Sequence, residues 1–383
     1  MQPLWNSAFL RVLAADFCIF ASMQIAVVLI PLHVKALGES ESVIGIVSGG
    51  FMLAAILSRP PVGWMADVFG RKRMFMWFCC IFAVAACGLP LLQGIAALLL
   101  MRILQGACWG GMVTAGSTLQ SYIIPSSRLG EGIGYVSSVR NLAHATMPAL
   151  GLVLADRFGA GDALWLGTGL ALLSVLAVAM LEDKIPRPAV RPKLRASDLV
   201  ERSAILPGLL SAAVTFLFSG MVTFVPLDAQ RRDIGDPALF FVVYAVLLMV
   251  IRPAVGRWAD RISNRSAVLL PGLSAIILAA FLLAFLETPY TLVLVACFWA
   301  FGFGSVQPVL RVLVLERAPR QRWGAANATS LSLYDMGLAL GPPVLGLAVE
   351  FWGYPAMYCI SAIPPVMCVA VLLGTGIRTK GNQ

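Results

Sequence analysis

Apolar runs of about 20 residues, separated by short polar breaks, recur along the whole chain. A helix needs about that length to cross the hydrocarbon core of a bilayer. Twelve such runs fall near residues 8–34, 42–66, 72–92, 94–122, 130–155, 163–181, 204–228, 238–258, 267–286, 290–315, 325–349 and 354–376. The roughly 10-residue alternating blocks of a membrane β-barrel do not appear. Backbone facing lipid must satisfy its own hydrogen bonds, so each run is predicted to be a continuous helix. The pattern predicts an all-α polytopic membrane protein. The first run is too long for a signal-peptide core and has no small-residue cleavage site after it, so it reads as a spanning helix.

Composition agrees. Only 12% of the 383 residues are charged, and mean hydropathy is +0.87, against about 25% charged in soluble proteins. The eight cysteines all lie in apolar runs without metal-ligand spacing. They read as small buried residues, and no metal or cofactor is expected.

Charge fixes an expected orientation. With the N-terminus inside, the inner loops and tail hold 18 Lys and Arg, the outer loops hold four, and six lie within helices. This asymmetry predicts cytoplasmic N- and C-termini, and it accounts for most of the +9 net charge. The charges are spread over short loops, which argues against a nucleic-acid partner. The expected setting is a bacterial-type inner (plasma) membrane, with lipid around a monomer. The longest inner loop carries Pro186, Pro188 and Pro192 among charges, as an exposed linker would. The expected division is therefore a six-helix bundle over 1–183, a linker over 184–203 and a second bundle over 204–383.

The two halves echo each other. Residues 59–67 read RPPVGWMAD and residues 252–260 read RPAVGRWAD, six matches in nine at an offset of 193. A fainter echo pairs SRLGEGIGYVSS near 127–138 with QRWGAANATSLS near 321–332. An internal duplication of a six-helix unit follows. Paired repeats with the substrate site between them characterise secondary transporters.

Gly63-x3-Asp67-x2-Gly70-Arg71-Lys72-Arg73, between the second and third helices, resembles motif A of the major facilitator superfamily. Arg102-x2-Gln105-Gly106 on the fourth helix resembles its motif B. Both are in register with the twelve-helix count. The resemblance implies two pseudo-symmetric six-helix bundles and is similar to the drug:proton antiporter branch. The fifth helix departs from the glycine-rich pattern of that branch. Pro148 and Gly151 fit it, but Met147 replaces a glycine, and Arg140 and His144 intrude. Some exporters of amino-acid-derived metallophores also resemble this branch.

The resemblance places Asp67 at the inner end of the eleventh helix, which is an N-terminus. A carboxylate there meets the positive end of the helix dipole. It would latch the state closed on the inside, with Gly63 and Gly70 allowing close approach and a tight turn. Gly256 and Asp260 mirror it against the fifth helix, and the reduced basic run RISNR suggests a weaker second latch. Arg71, Lys72 and Arg73 either support the latch or only set topology.

Charges within spans are costly and mark candidate function. They are Asp16, Arg102, Arg140, His144, Arg311 and Asp335. Asp16 is the first candidate for proton coupling and Asp335 the second. Asp16 is either a proton carrier, switched by Arg102 or Arg140, or a permanent buried partner of an arginine. Arg140 and His144, at i and i+4, share a face. His144 either titrates near neutral pH or packs as a hydrogen-bonded residue. Asp335 and Arg311 form another potential pair. Arginines in a cavity suit carboxylate or phosphate cargo. Gln105, Tyr334, Trp109, Tyr244 and Trp299 either line an amphipathic site or, for the aromatics, face lipid. Arg59 and Arg252 are expected to snorkel to the interface.

The function expected is proton-coupled export of a small amphipathic or zwitterionic molecule. The alternatives are symport or uniport of a polar nutrient and, more remotely, a sensor or enzyme on a transporter scaffold. The only histidines, His33 and His144, are far apart, and no phosphate-binding loop is present.

Overall fold

A computed structural model describes residues 3–39, 41–92, 94–182, 198–232, 238–262, 264–285 and 288–375. Among them are twelve α-helical elements and no strand. The first six are α1 (Ser7–Ala36), α2 (Glu41–Phe69), α3 (Arg71–Gly88), α4 (Ile95–Ile123), α5 (Leu129–Phe158) and α6 (Ala160–Ala179). The second six are α7 (Arg202–Arg231), α8 (Ala238–Arg261), α9 (Ser266–Ala284), α10 (Pro289–Arg317), α11 (Trp323–Ser361) and α12 (Ile363–Thr375).

The ends follow local chemistry. Asn6 caps α1 by accepting from the Phe9 amide at 2.8 Å, the usual role of a short polar side chain there. Thr288 caps α10 and is followed by Pro289, which lacks an N–H and so suits the first turn. The third span was expected to reach residue 92. Instead α3 ends at Gly88 and passes into a 3-10 turn, Leu89–Leu91. Pro90 cannot donate to the helical ladder, so the helix yields there. Gly353, at φ 76°, breaks α11. Only glycine adopts such a backbone cheaply, and the twelfth span starts just after it.

Ten stretches among the described residues are long and apolar enough to cross a membrane. One of them, Arg320–Gly374, contains both final spans, and α5 is absent from the ten. Glu131, Arg140, His144, Asp156 and Arg157 lower the hydropathy of α5. The twelve-span reading thus includes one helix whose charges disguise it.

The chain forms two compact units. The first comprises Met1–Pro125, Val139–Glu201 and Pro319–Thr329; the second comprises Ser126–Ser138, Arg202–Ala318 and Ser330–Gln383. The first turns of α5 and of α11 therefore each belong to the unit built mainly from the opposite half of the sequence. Most of the expected linker, residues 184–197, lies outside the described residues, as do Arg378 and Lys380.

Both units pack through small residues. Gly106 and Gly110 of α4 lie directly on the backbone of Phe51 and Ala55 in α2, where a methyl group would overlap it. Gly337 and Gly341 of α11 do the same against Ala212 and Phe216 of α7. Lipid supplies no hydrophobic drive between helices, so close backbone approach carries the association. Phe75, Phe82 and Cys79 fill the first core; Trp299, Phe240 and Tyr358 fill the second. Of the eight cysteines, Cys79, Cys108 and Cys368 are buried, four are partly buried, and Cys297 is exposed. The expectation that all are buried fails for Cys297, because an apolar helix also has a lipid-facing side.

Candidate functional site

Two carboxylates sit at helix starts. α2 ends at Phe69, Gly70 turns the chain at φ 101°, and α3 begins at Arg71. This holds Asp67 against the first turn of α11. Its two oxygens accept from the Gly324 amide at 2.9 Å and the Ala325 amide at 3.0 Å. The approach requires small residues: a methyl on Gly63 would stand 2.6 Å from the Ala328 Cβ and 2.7 Å from the Gly324 carbonyl. Arg71 lies 3.7 Å from Asp67, donates to the Tyr122 hydroxyl at 2.8 Å and stacks over that ring. Tyr122 in turn donates to the Arg320 carbonyl. Lys72 donates to the Leu181 carbonyl, just past the end of α6.

The mirror arrangement uses Asp260. It accepts from the Gly130 amide at 2.7 Å and the Glu131 amide at 2.9 Å, at the start of α5. A methyl on Gly130 would stand 2.6 Å from the Gly256 carbonyl, and one on Gly134 would stand 2.6 Å from the Arg252 carbonyl. The Glu131 side chain pairs with Arg128 at 2.6 Å and lies 3.5 Å from Arg257. Arg265 instead donates to the Ala259 and Ile262 carbonyls and pairs with Glu316.

The second site lies within the first unit, where Asp16 of α1 is 3% exposed. Arg140 of α5 grips it with both arms, Nε to Oδ2 at 2.6 Å and Nη2 to Oδ1 at 2.9 Å. Gln120 of α4 donates to Oδ1 at 2.8 Å and accepts from Arg140 at 3.3 Å. Three helices thus meet on one carboxylate. A bidentate guanidinium–carboxylate pair is the strong form of this contact. Phe20 lies beneath the Arg140 guanidinium at 4.7 Å, and its ring meets those of His144 at 5.7 Å and Trp109 at 4.7 Å. The side chains of Asp16 and Arg140 are brought together, and the exposed His144 meets the same Phe20 ring.

Arg102 is not part of this cluster. It is 3% exposed, donates to Gln105 at 2.5 Å and lies over Phe51 at 4.2 Å. Its Nε and the Gln105 amide nitrogen have no hydrogen-bond partner among the described residues. Asp335 is buried on α11, Arg311 is half-buried on α10, and Tyr334 offers its carbonyl to Thr215 at 3.0 Å. Arg59 and Arg252 do not snorkel. They are 3% and 7% exposed, and Arg252 donates to the Ser137 carbonyl at 3.0 Å. Trp299 is 1% exposed and stacks with Phe218 and Phe303, so it does not face lipid. Tyr244 is half-buried beside the same rings. Gln120 and Tyr122 were missed by the sequence reading. Their only signal is the polar run Thr114, Ser117, Thr118, Gln120 and Ser121, all buried within an apolar helix.

Comparison with known proteins joins these features. The chain is 26% identical to the multidrug resistance protein MdtG of Enterobacter lignolyticus, over 94% of the chain and 90% of that protein. It superposes on the human organic anion transporter MFSD10 with a TM-score of 0.83 at 18% identity, covering 97% of this chain and all of that one. It superposes on the proton:xylose symporter XylE with a TM-score of 0.77 at 13% identity, covering 98% and 97%. The family model described as Major Facilitator Superfamily matches residues 12–239 and 231–382. With twelve helices, two units and a capped motif loop in each, the chain belongs to the Major Facilitator Superfamily, a family of transporters and not of enzymes.

Proposed function

We propose that this transporter exports a small amphipathic or zwitterionic molecule in exchange for protons, by alternating access, with Asp16, Arg140 and Gln120 as the coupling group. The observation that carries the reading is the buried Asp16–Arg140 pair. A zwitterionic cargo can insert into such a pair, its ammonium on Asp16 and its carboxylate on Arg140. A proton and that ammonium then compete for one carboxylate, and competition is the requirement for antiport. The similarity to the multi-drug resistance efflux pump PmrA of Streptococcus pneumoniae, 22% identical over 93% of the chain, supports the export direction. One charge moving inward through 100 mV supplies about 2.3 kcal/mol, equivalent to roughly a 45-fold cargo gradient at about 1.4 kcal/mol per tenfold.

Asp67 and Asp260 serve in this scheme as latches. Each satisfies two amides that a helix start leaves unpaired. Opening on the side of the motif loops must break both contacts. That side is the cytoplasm if the inner belt of Lys and Arg orients the chain with both termini inside an inner membrane.

A second reading rests on Arg102, a buried cation with no carboxylate on it among the described residues. A purely anionic cargo would take Arg140 or Arg102 and leave Asp16 to accept a proton. Cargo and proton would then travel together, which is symport.

The test is uptake into proteoliposomes under an imposed pH gradient, with a panel of amphipathic cations, zwitterions and metallophores. Asp16→Asn should abolish pH-driven accumulation and spare downhill exchange. If Asp16→Asn keeps full pH-driven transport while Asp335→Asn loses it, coupling belongs to α11 and the assignment to Asp16 is wrong.

A further inference from the structure

The sequence contains a third echo at a slightly different offset. Near the end of α1 the chain reads Ile30-Pro31-Leu32-His33, and near the end of α7 it reads Val225-Pro226-Leu227-Asp228. The first helix of each half thus places a titratable side chain two residues after a proline in its final turns. His33 is half-buried, with its Nε2 3.4 Å from the Leu92 carbonyl. Asp228 is 0% exposed.

The surroundings of Asp228 are unusual for a structural carboxylate. Its Oδ1 accepts from Arg232 Nε at 2.9 Å. Its Oδ2 is buried and has no hydrogen-bond partner among the described residues. The Tyr358 hydroxyl stands beside this carboxylate without closing a well-formed hydrogen bond. Arg231 lies over the Tyr354 ring at 5.6 Å, one turn before Tyr358. Among the described residues, the charged and titratable groups around Asp228 are Arg231 and Arg232 from α7 and Tyr358, with Tyr354 beside it, from the span after Gly353. A buried carboxylate oxygen whose neighbouring hydroxyl is out of hydrogen-bond geometry is costly, and a proton on it removes most of that cost. Arg232 is partly exposed, with 26% of its side chain accessible.

We propose that Asp228 is a second proton-binding residue, separate from Asp16, and that it switches the contact between the end of α7 and the span after Gly353. Ionised, Asp228 holds Arg232. Protonated from the bulk phase at that end, it keeps the proton on Oδ2, facing the Tyr358 hydroxyl, and releases Arg232. This role rests on the proton-coupled reading given above, but the titration itself does not need transport to be observed.

The experiment is an infrared pH titration of purified protein in lipid, following the C=O stretch of protonated carboxyl groups. Asp228→Asn should remove one titrating band. Tyr358→Phe keeps the ring and removes only the hydroxyl; it should retain the band and shift its midpoint. Should Asp228→Asn misfold, the Tyr358→Phe shift still decides. A band unchanged by both substitutions overturns the proposal. In proteoliposomes, Asp228→Asn should flatten the dependence of exchange on pH at the side facing the end of α7. Unaltered dependence counts against the switch. Wild-type protein that shows no pH-driven transport, yet loses the band in Asp228→Asn, would leave Asp228 as a proton site and refute the coupled reading alone.

Discussion

Asp67 and Asp260 make the same pair of hydrogen bonds in very different company. Each accepts two consecutive backbone amides at a helix start, all between 2.7 and 3.0 Å. Beside Asp67 stands Arg71, braced by Tyr122. At the corresponding place after Asp260 the chain has Asn264, whose side chain accepts from the Ser266 amide at 3.1 Å. The next residue, Arg265, turns away to cap α8 and pair with Glu316. Glu131 adds a second carboxylate beside Asp260, offset by Arg128 and Arg257. The cap itself is made of backbone and small residues, so duplication preserves it. The charges around it are free to diverge. The hydrogen bonds of Asp260 are therefore no longer than those of Asp67, although the sequence suggested a weaker second contact; what differs is the charge beside each carboxylate.

The largest effects should come from filling the close approach. Gly63→Ala and Gly256→Ala each force a methyl into backbone contact. Overpacking of this kind costs about 1–3 kcal/mol. Spin labels on the ends of α2 and α11 should separate in Gly63→Ala, and labels on α5 and α8 should separate in Gly256→Ala. Unchanged distance distributions would show that close approach is not required.

Removing the charge should matter next, and here the two regions should part. Asp67→Asn loses two charge-assisted hydrogen bonds and the attraction of Arg71, a loss of about 1–3 kcal/mol. Asp260→Asn also relieves repulsion from Glu131, so its population shift should be smaller in the same label experiment. Equal or reversed shifts would break the comparison.

The smallest effect is expected for Arg71→Gln. The pair is mostly buried, with the two side chains 7% and 10% exposed, but at 3.7 Å it is too long for a hydrogen bond, so a loss of about 1 kcal/mol is expected. The effect should largely persist in high salt, because a buried pair is screened little, and a double-mutant cycle with Asp67→Asn should show coupling. Asn264→Arg in the second region should strengthen its latch by a similar amount; no change would mean that the cation at this position is irrelevant.

Helices were readable in the sequence because apolar length alone decides them. The one helix that fails a hydropathy test, α5, fails because it carries Arg140 and His144. The contact of Asp67 with the start of α11 was legible through the resemblance of its loop to motif A. The partner of Asp16 was not. Arg102 and Arg140 both lie inside spans, but depth does not reveal which way a side chain points around its helix. Gln120 gains meaning only when α1 and α5 are seen beside it. Asp228 escaped notice because it sits at a helix end next to Arg231 and Arg232, where an acid reads as a loop charge.

The central claim is that cargo and proton compete for Asp16. The most direct test is equilibrium binding, across a pH series, of a zwitterionic cargo found in the proteoliposome panel and of its N-acetylated anion. Competition predicts that the zwitterion binds up to about tenfold more weakly for each unit of falling pH, by linkage to one proton. Asp16→Asn should abolish that slope. A zwitterion that binds equally well, or more tightly, as Asp16 becomes protonated would contradict the account.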